Sequence, residues 1–324
     1  MSNKTKDSSD NLTNTNIKST KSINVLQFCS DNQLDVYNKD SINNWRDIKR
    51  PSINRIGLEI LGYFDNDSIS KNIIGLGTRE SNMMDSLSAD ALENNLTKIF
   101  SKEPPLVICS NGVSEKNKNL ILKYCKKFET PIVLSDTSLS FLITNIGIYI
   151  AEFFAPETFV HGSLVVVNGV GVLIIGDSGI GKSEAVIELI QRGHIFISDD
   201  SVIIKRFGHN FIGTSPKITQ NILESRGLGL INIKKIYGEK SIKNKANIDL
   251  VIELKKDDSF NFDRLGNENY FYETLNGKIK KILLPVRLGR NAASLIETAT
   301  LLFFSKKDGV DAYTEIQERI KNAK

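Results

Sequence analysis

Hydrophobic and polar positions along the chain fall into three regimes. Residues 1–22 are almost entirely Ser, Thr, Asn, Asp and Lys. Such a segment has nothing to bury, so the pattern predicts a disordered tail. From Ile23 short apolar runs alternate with helix-like stretches: Asn24–Phe28, Pro105–Cys109, Asn119–Lys126 and Pro131–Leu134. That alternation predicts an N-terminal α/β domain over residues 23–155. It closes with the mostly apolar stretch Leu139–Phe154, which predicts a buried helix leading into the second half. A second domain then spans 156–324, with no internal repeat.

The second domain opens on a readable hairpin. The β-rich runs Leu164–Val167 and Val170–Ile175 are joined by Asn168-Gly169. Asn-Gly suits a type I′ turn, which needs positive φ at two successive residues. A two-residue loop pairs Val167 with Val170. Followed outward, that register sets His161 opposite Gly176.

Gly176-Asp177-Ser178-Gly179-Ile180-Gly181-Lys182-Ser183 matches the phosphate-loop pattern G-x-x-x-x-G-K-[ST] in full. Glycines let backbone N–H groups turn inward around phosphate oxygens. Lys182 places a positive charge at the β/γ-phosphates, and the Ser183 hydroxyl can ligate Mg²⁺. A strand precedes the loop. A helix comes after it, with Val186, Leu189 and Ile190 at helical spacing and Gly193 as its closing residue.

The next strand, His194–Ser198, ends in Asp199-Asp200. Ligands of parallel sheets sit beyond the carboxyl ends of strands, so the acidic pair is expected at the rim of the phosphate loop. One aspartate can hold a metal; the other can accept a hydroxyl proton. The pair comes too soon after Lys182 for a motor or signalling P-loop protein, and the chain has no Asn-Lys-x-Asp guanine-reading motif. Both observations speak against a GTPase. His161 is the histidine of interest; His194 and His209 read as structural.

Composition narrows the partners. The 324 residues are 40% hydrophobic and 25% charged with net charge +4, ordinary for a soluble protein and too weakly basic to argue for nucleic acid. No apolar run reaches the ~18 residues of a membrane span. The N-terminus is not a signal peptide, so a cytoplasmic location is expected. Cys29, Cys109 and Cys125 lack metal-ligand spacing and read as buried or idle thiols.

These motifs together resemble the bifunctional HPr kinase/phosphorylase family of bacterial sugar-transport control. The resemblance lies in His161-Gly162, the Asn168–Leu173 hairpin, the loop Gly176–Ser183 with Glu184, Arg192-Gly193-His194 and Asp199-Asp200. It continues in the signature segment Leu223-Glu224-Ser225-Arg226-Gly227-Leu228-Gly229, in Asp263-Arg264-Leu265-Gly266 and in Pro285–Asn291. Upstream, Gly57-Leu58-Glu59 and Gly62-Tyr63-Phe64 are similar to the family's N-terminal domain.

The resemblance implies an α/β fold with a C-terminal P-loop kinase domain. It implies that ATP phosphorylates a serine of the phosphocarrier protein HPr, and that inorganic phosphate reverses this with release of pyrophosphate. Asp200 then matches the base of one direction and the acid of the other. His161 and Lys182 match further active-site residues, Arg264 the catalytic arginine, and Ser183 and Glu224 the metal ligands. The loop Pro285, Val286, Arg287, Leu288, Gly289, Arg290 matches the segment serving the reverse reaction. A homohexamer under allosteric control is also implied. Leu288 stands where the family usually carries proline, and Leu301-Leu302-Phe303-Phe304 is more apolar than the family leads one to expect. The competing readings are a P-loop kinase of a small molecule and a nucleotide-binding regulator that transfers nothing.

Overall fold

The computed structural model describes residues 21–64, 68–256, 269–287, 291–307, 309 and 312–322. Most of the polar tail, Arg264 and residues 288–290 lie outside them. The chain divides into two compact units, which meet in sequence at Phe154 and Ala155.

The first unit is built on a parallel sheet in the order Ile53–Arg55, Ile73–Leu76, Val107–Cys109, Ile132–Leu134. Successive side chains of a strand point to opposite faces. Ile74, Leu76, Val107, Cys109 and Ile132 accordingly enter one core, beneath the helices Thr78–Asp85, Ala89–Phe100 and Glu115–Lys127. Ile73, Ile108 and Val133 enter another, with Phe28 and the helix Leu139–Phe154. Both faces are covered, so the three strands Ile73–Leu76, Val107–Cys109 and Ile132–Leu134 carry no polar alternation, while the edge strand Ile53–Arg55 keeps Asn54 and Arg55. Ser88 and Ser114 cap their helices through Oγ.

Two sequence expectations need correction here. The run Asn24–Phe28 is mostly helix, Val25–Asp31, because the Asn24 side chain accepts from the Leu26 N–H and caps it. The helix Leu139–Phe154 forms, but it is buried on one stripe only, through Leu139, Leu142, Ile146 and Ile150. Phe141 and Ile148 are each 56% exposed. A helix lying on one side of a sheet covers only the positions that face it.

All three cysteines are buried and free. Burial pushes the thiols of Cys29 and Cys109 up to about 12 and about 11, and raises Cys125 as well. They stay protonated at neutral pH, which suits idle packing groups.

The second unit holds a six-stranded sheet in the order Ile195–Ser198, Ser163–Val167, Val170–Gly176, Leu250–Lys256, Gly277–Val286, Tyr270–Thr274. Asn168 and Gly169 have φ of 49° and 86°, as a type I′ turn requires, and Val167 pairs with Val170. One face packs on the helices Lys182–Gln191 and Ala292–Lys307. The other packs on a four-stranded antiparallel sheet in the order Lys245–Asn247, Asn210–Thr214, Ser201–Phe207, Glu157–His161.

Strand direction positions the site. Ser163–Val167 is antiparallel to both of its neighbours, so Ile195–Ser198 and Val170–Gly176 run the same way. Leu250–Lys256 is parallel to Val170–Gly176, and Gly277–Val286 is parallel to it in turn. Four strands therefore deliver their carboxyl ends to one rim. The acidic pair, the phosphate loop and Arg287 each stand at the end of one of these strands.

Candidate active site

The phosphate loop joins its strand to the helix Lys182–Gln191. Gly176, Gly179 and Gly181 have φ of 148°, 78° and 100°, which favours glycine at each. At Gly176 a side chain would also meet the Leu254 carbonyl oxygen at 2.6 Å. Lys182 is buried, and its ammonium donates to the carbonyls of Gly176 at 2.9 Å and Asp177 at 3.0 Å. Those bonds hold the cation at the mouth of the loop. Gly193, at φ 94°, ends the helix as its sequence position predicts.

The acidic pair divides its work by burial. Asp199 is only 3% exposed; it accepts from Ser183 Oγ at 3.0 Å and from Ser163 Oγ at 2.6 Å. The Asp200 side chain is 70% exposed, and its Oδ1 stands 3.1 Å from His161 Nδ1. Asp200 has φ of 63°, the left-handed region that aspartate and asparagine tolerate better than other side chains. Ser163 is a partner that sequence reasoning missed, since it lies 36 residues from Asp199.

His161 reaches the site by a route other than the register extrapolated from the hairpin. Hairpin pairing ends at Ser163↔Ile174, and His161 pairs with Ser201 in the second sheet, not with Gly176. The chain changes sheets at Gly162. A Cβ there would lie 2.6 Å from the Ile174 carbonyl oxygen, so a close backbone approach fixes the crossing.

The signature segment forms the hairpin Ile222–Ser225 with Gly229–Asn232. Leu223 is fully buried in the core that also holds Ile180 of the phosphate loop. Glu224, Arg226, Gly227 and Gly229 are exposed. The Arg226 guanidinium lies 3.0 Å from where a Gly179 Cβ would be, directly over the loop. Nothing local in the sequence signals that contact. Lys255, at the end of its strand, is a further cation at the rim. Its pKa is raised, chiefly by the hydrogen bond to Glu253 and additionally by the charge of Asp177.

The segment read as the loop Pro285–Asn291 begins inside a strand. Pro285 and Val286 are the last residues of a strand, paired with Lys255 and Lys256, and Arg287 is the first residue beyond it. Leu288, Gly289, Arg290 and Arg264 lie outside the described residues. Among the described residues no three His, Cys, Asp or Glu side chains form a metal-holding group. Ser183 and Asp199 nonetheless juxtapose the hard oxygen donors that suit Mg²⁺.

Residues 23–150 match the family described as HPr Serine kinase N terminus, and residues 152–320 that described as HPr Serine kinase C-terminal domain. This chain belongs to the HPr serine kinase family. The HPr kinase/phosphorylase of Mycoplasmopsis pulmonis is 43% identical over 279 residues, 86% of this chain and 90% of that one. The enzyme of the same name from Caldanaerobacter subterraneus is 32% identical over 300 residues, 92% and 97% of the two chains. A solved structure, the Hpr(Ser) kinase/phosphatase from Coxiella burnetii, is 31% identical, with TM-score 0.45, covering 50% of this chain and 99% of its own. By family the chain is an enzyme, a serine kinase and phosphorylase, of mixed α/β architecture with an N-terminal unit and a C-terminal HPr kinase domain.

Proposed function

We propose that this enzyme moves the γ-phosphoryl group of ATP to a serine of HPr, and returns the phosphoryl group of seryl-phosphorylated HPr to inorganic phosphate, giving pyrophosphate. The observation that carries this reading is the pair of contacts at one rim: Ser183 with Asp199 on the phosphate-loop side, and His161 with Asp200 on the open side.

In the forward direction Asp200 accepts the serine proton as the serine oxygen attacks the γ-phosphorus and ADP leaves. In reverse, a phosphate oxygen attacks the phosphorus of the seryl-phosphate. The serine oxygen leaves with a proton from Asp200. His161 orients that carboxylate. Lys182 and the backbone of Gly176–Ser183 hold the phosphate chain, and Arg264 offsets charge on the transferring group. Ser183 would hold Mg²⁺ with Glu224, the ligand that the family resemblance implies, while Asp199 accepts from the Ser183 hydroxyl and sets a further hard oxygen beside it. A bound Mg²⁺ supplies neutralisation of charge across the phosphate oxygens.

Among the described residues no helix is long and apolar enough to cross a membrane. A cytoplasmic location suits a partner of HPr. Leu301, Leu302 and Phe304 are each more than half exposed on the helix Ala292–Lys307 and suit a subunit contact within a homohexamer. The test is to incubate the protein with ATP, Mg²⁺ and purified HPr and to map phosphoserine by mass spectrometry. Modification of one HPr serine supports the reading; unmodified HPr overturns it.

A further inference from the structure

The strand Ser163–Val167 carries one residue that its pattern does not call for. Successive side chains of a strand alternate between faces. Leu164 and Val166 enter the core against the four-stranded sheet, while Val165 and Val167 enter the core beneath the helix Lys182–Gln191. Ser163 falls in the second row, where valine is the local rule, and it is fully buried. A buried hydroxyl is costly unless it is hydrogen-bonded. Ser163 Oγ donates to Asp199 Oδ1 at 2.6 Å. Strand register brings the two together. Ile195 pairs with Val166 and Phe196 with Val165, but Ser198 rather than Ile197 pairs with Leu164. The one-residue shift is that of a β-bulge, which re-aims a side chain. Continued from Ser198, the shifted register sets Asp199 opposite Ser163. Unshifted, it would set Asp199 opposite Gly162, which has no side chain to donate.

Asp199 is the middle of a relay. Ser163 holds its Oδ1, and its Oδ2 accepts from Ser183 Oγ at 3.0 Å. Among the described residues no other side chain donates to Asp199. A hydroxyl has one proton to give and two lone pairs to offer. While Ser183 gives its proton to Asp199, both lone pairs are free for a cation. A helical serine has an alternative, since its hydroxyl can donate back to a carbonyl of the preceding turn. Which way it turns depends on where the carboxylate oxygen stands. The terminal torsion of an aspartate is broad, so a carboxylate held at one oxygen swings freely. Held at both, it stays where the two hydroxyls put it.

We propose that Ser163 is a positioning residue for the divalent cation. Through Asp199 it aims the Ser183 hydroxyl, so that the lone pairs of Ser183 are offered to a cation beside the phosphate chain. This rests on the Mg²⁺-nucleotide reading above. Ser163 is fully buried, so it acts only through Asp199. Removing its hydroxyl leaves Lys182 and the backbone N–H groups of the loop in place. The loss is therefore confined to the part of nucleotide binding that depends on metal.

The test measures ATP binding by calorimetry without HPr, first in EDTA and then across a Mg²⁺ series, on variants shown to be folded by chemical denaturation. In Ser163→Ala the Mg²⁺ concentration that half-saturates the gain in ATP affinity is expected to rise about tenfold or more, the usual effect of losing the partner that orients a metal-holding group. Affinity in EDTA should stay within about twofold of wild type. Ser163→Thr and Ser163→Val have nearly the same shape and differ in the hydroxyl, so threonine should keep the Mg²⁺ response and valine should lose it. In an Asp199→Ala background, adding Ser163→Ala should change the Mg²⁺ response by less than about twofold, because the relay is already cut. Equal loss in EDTA and in Mg²⁺, equal behaviour of the threonine and valine variants, or additive effects of Ser163→Ala and Asp199→Ala would overturn the proposal. A normal Mg²⁺ response in Ser163→Ala overturns it too, and leaves the metal reading standing. Wild-type protein whose ATP binding ignores Mg²⁺ overturns the metal reading and the proposal with it.

Discussion

The backbone N–H of Gly162 donates to the carbonyl of Asp200 at 3.2 Å. That bond joins the end of the histidine strand to the turn that carries the Asp200 carboxylate. It explains how two side chains 39 residues apart come to stand 3.1 Å from each other at the surface. The contact depends on backbone, so neither side chain has to be buried to be placed.

Asp200→Asn preserves size and tolerance of positive φ but cannot accept a proton. Serine phosphorylation is expected to drop about 10²–10⁴-fold, the usual contribution of a general base, with ATP affinity little changed. Steady-state kinetics with HPr and equilibrium nucleotide binding check the two halves. A loss below about threefold would remove Asp200 from the role.

His161→Ala separates catalysis from folding. The ring is 56% exposed, so unfolding free energy should shift by no more than about 0.5 kcal/mol. Activity per folded molecule should fall clearly. Denaturant melting beside turnover measurement decides it, and a large stability loss at normal activity would make the histidine structural.

Lys182→Ala removes the cation that the loop carbonyls of Gly176 and Asp177 hold at its mouth. The expected loss in kcat/KM for ATP is about 100-fold or more, in the range for deleting one preorganised electrostatic partner of a transferring group. Wild-type efficiency in this variant would refute the phosphate-loop assignment.

Arg290→Ala should reduce phosphorolysis more than phosphorylation, because only the reverse reaction must hold a second, unlinked phosphate. Leu288→Pro, which restores the family's usual residue and restricts φ, should raise the phosphorolysis rate or lower its KM for phosphate. Both directions are measured on the same preparations. Equal effects of Arg290→Ala on the two would contradict a segment dedicated to the reverse reaction.

Stability should respond to acid through Glu297. Burial alone would raise its carboxyl, but hydrogen bonds from His194 and Arg192 outweigh burial and hold it below the usual carboxylate range. A depressed carboxylate stabilises the fold above its unfolded pKa, about 4.3, and that stabilisation is lost as pH falls through the lower folded value. Glu297→Gln should therefore cost roughly 1 kcal/mol near neutrality, and the gap from wild type should close below about pH 4. Chemical denaturation across pH checks this; a gap that widens in acid would reverse the sign.

The features legible in the sequence are local ones. The phosphate loop, the Asn168-Gly169 turn with Val167 opposite Val170, and the helix stop at Gly193 each depend on residues within one turn or hairpin. The acidic pair could be placed at the rim because the position of strand ends depends on strand direction. The partner of His161 was not legible. It depends on the chain changing sheets at Gly162, which a backbone approach to Ile174 decides and no periodicity records. The bond from Ser163 to Asp199 and the position of Arg226 over Gly179 are equally remote in sequence. The one-sided burial of Leu139–Phe154 was hidden for another reason: Phe141 and Ile148 stand among its exposed positions, so hydrophobic residues occupy both faces.

The left-handed backbone at Asp200 narrows what selection can place there. Folding alone admits aspartate, asparagine and glycine readily at φ of 63° and resists β-branched and bulky residues. Proton transfer alone would admit glutamate as well as aspartate. The two filters are independent, and aspartate passes both. A library randomised at this codon and sorted first for soluble expression, then for phosphoserine formation, should lose asparagine and glycine only at the second sort. Drift at this position therefore leads through folded, silent proteins rather than through unfolded ones.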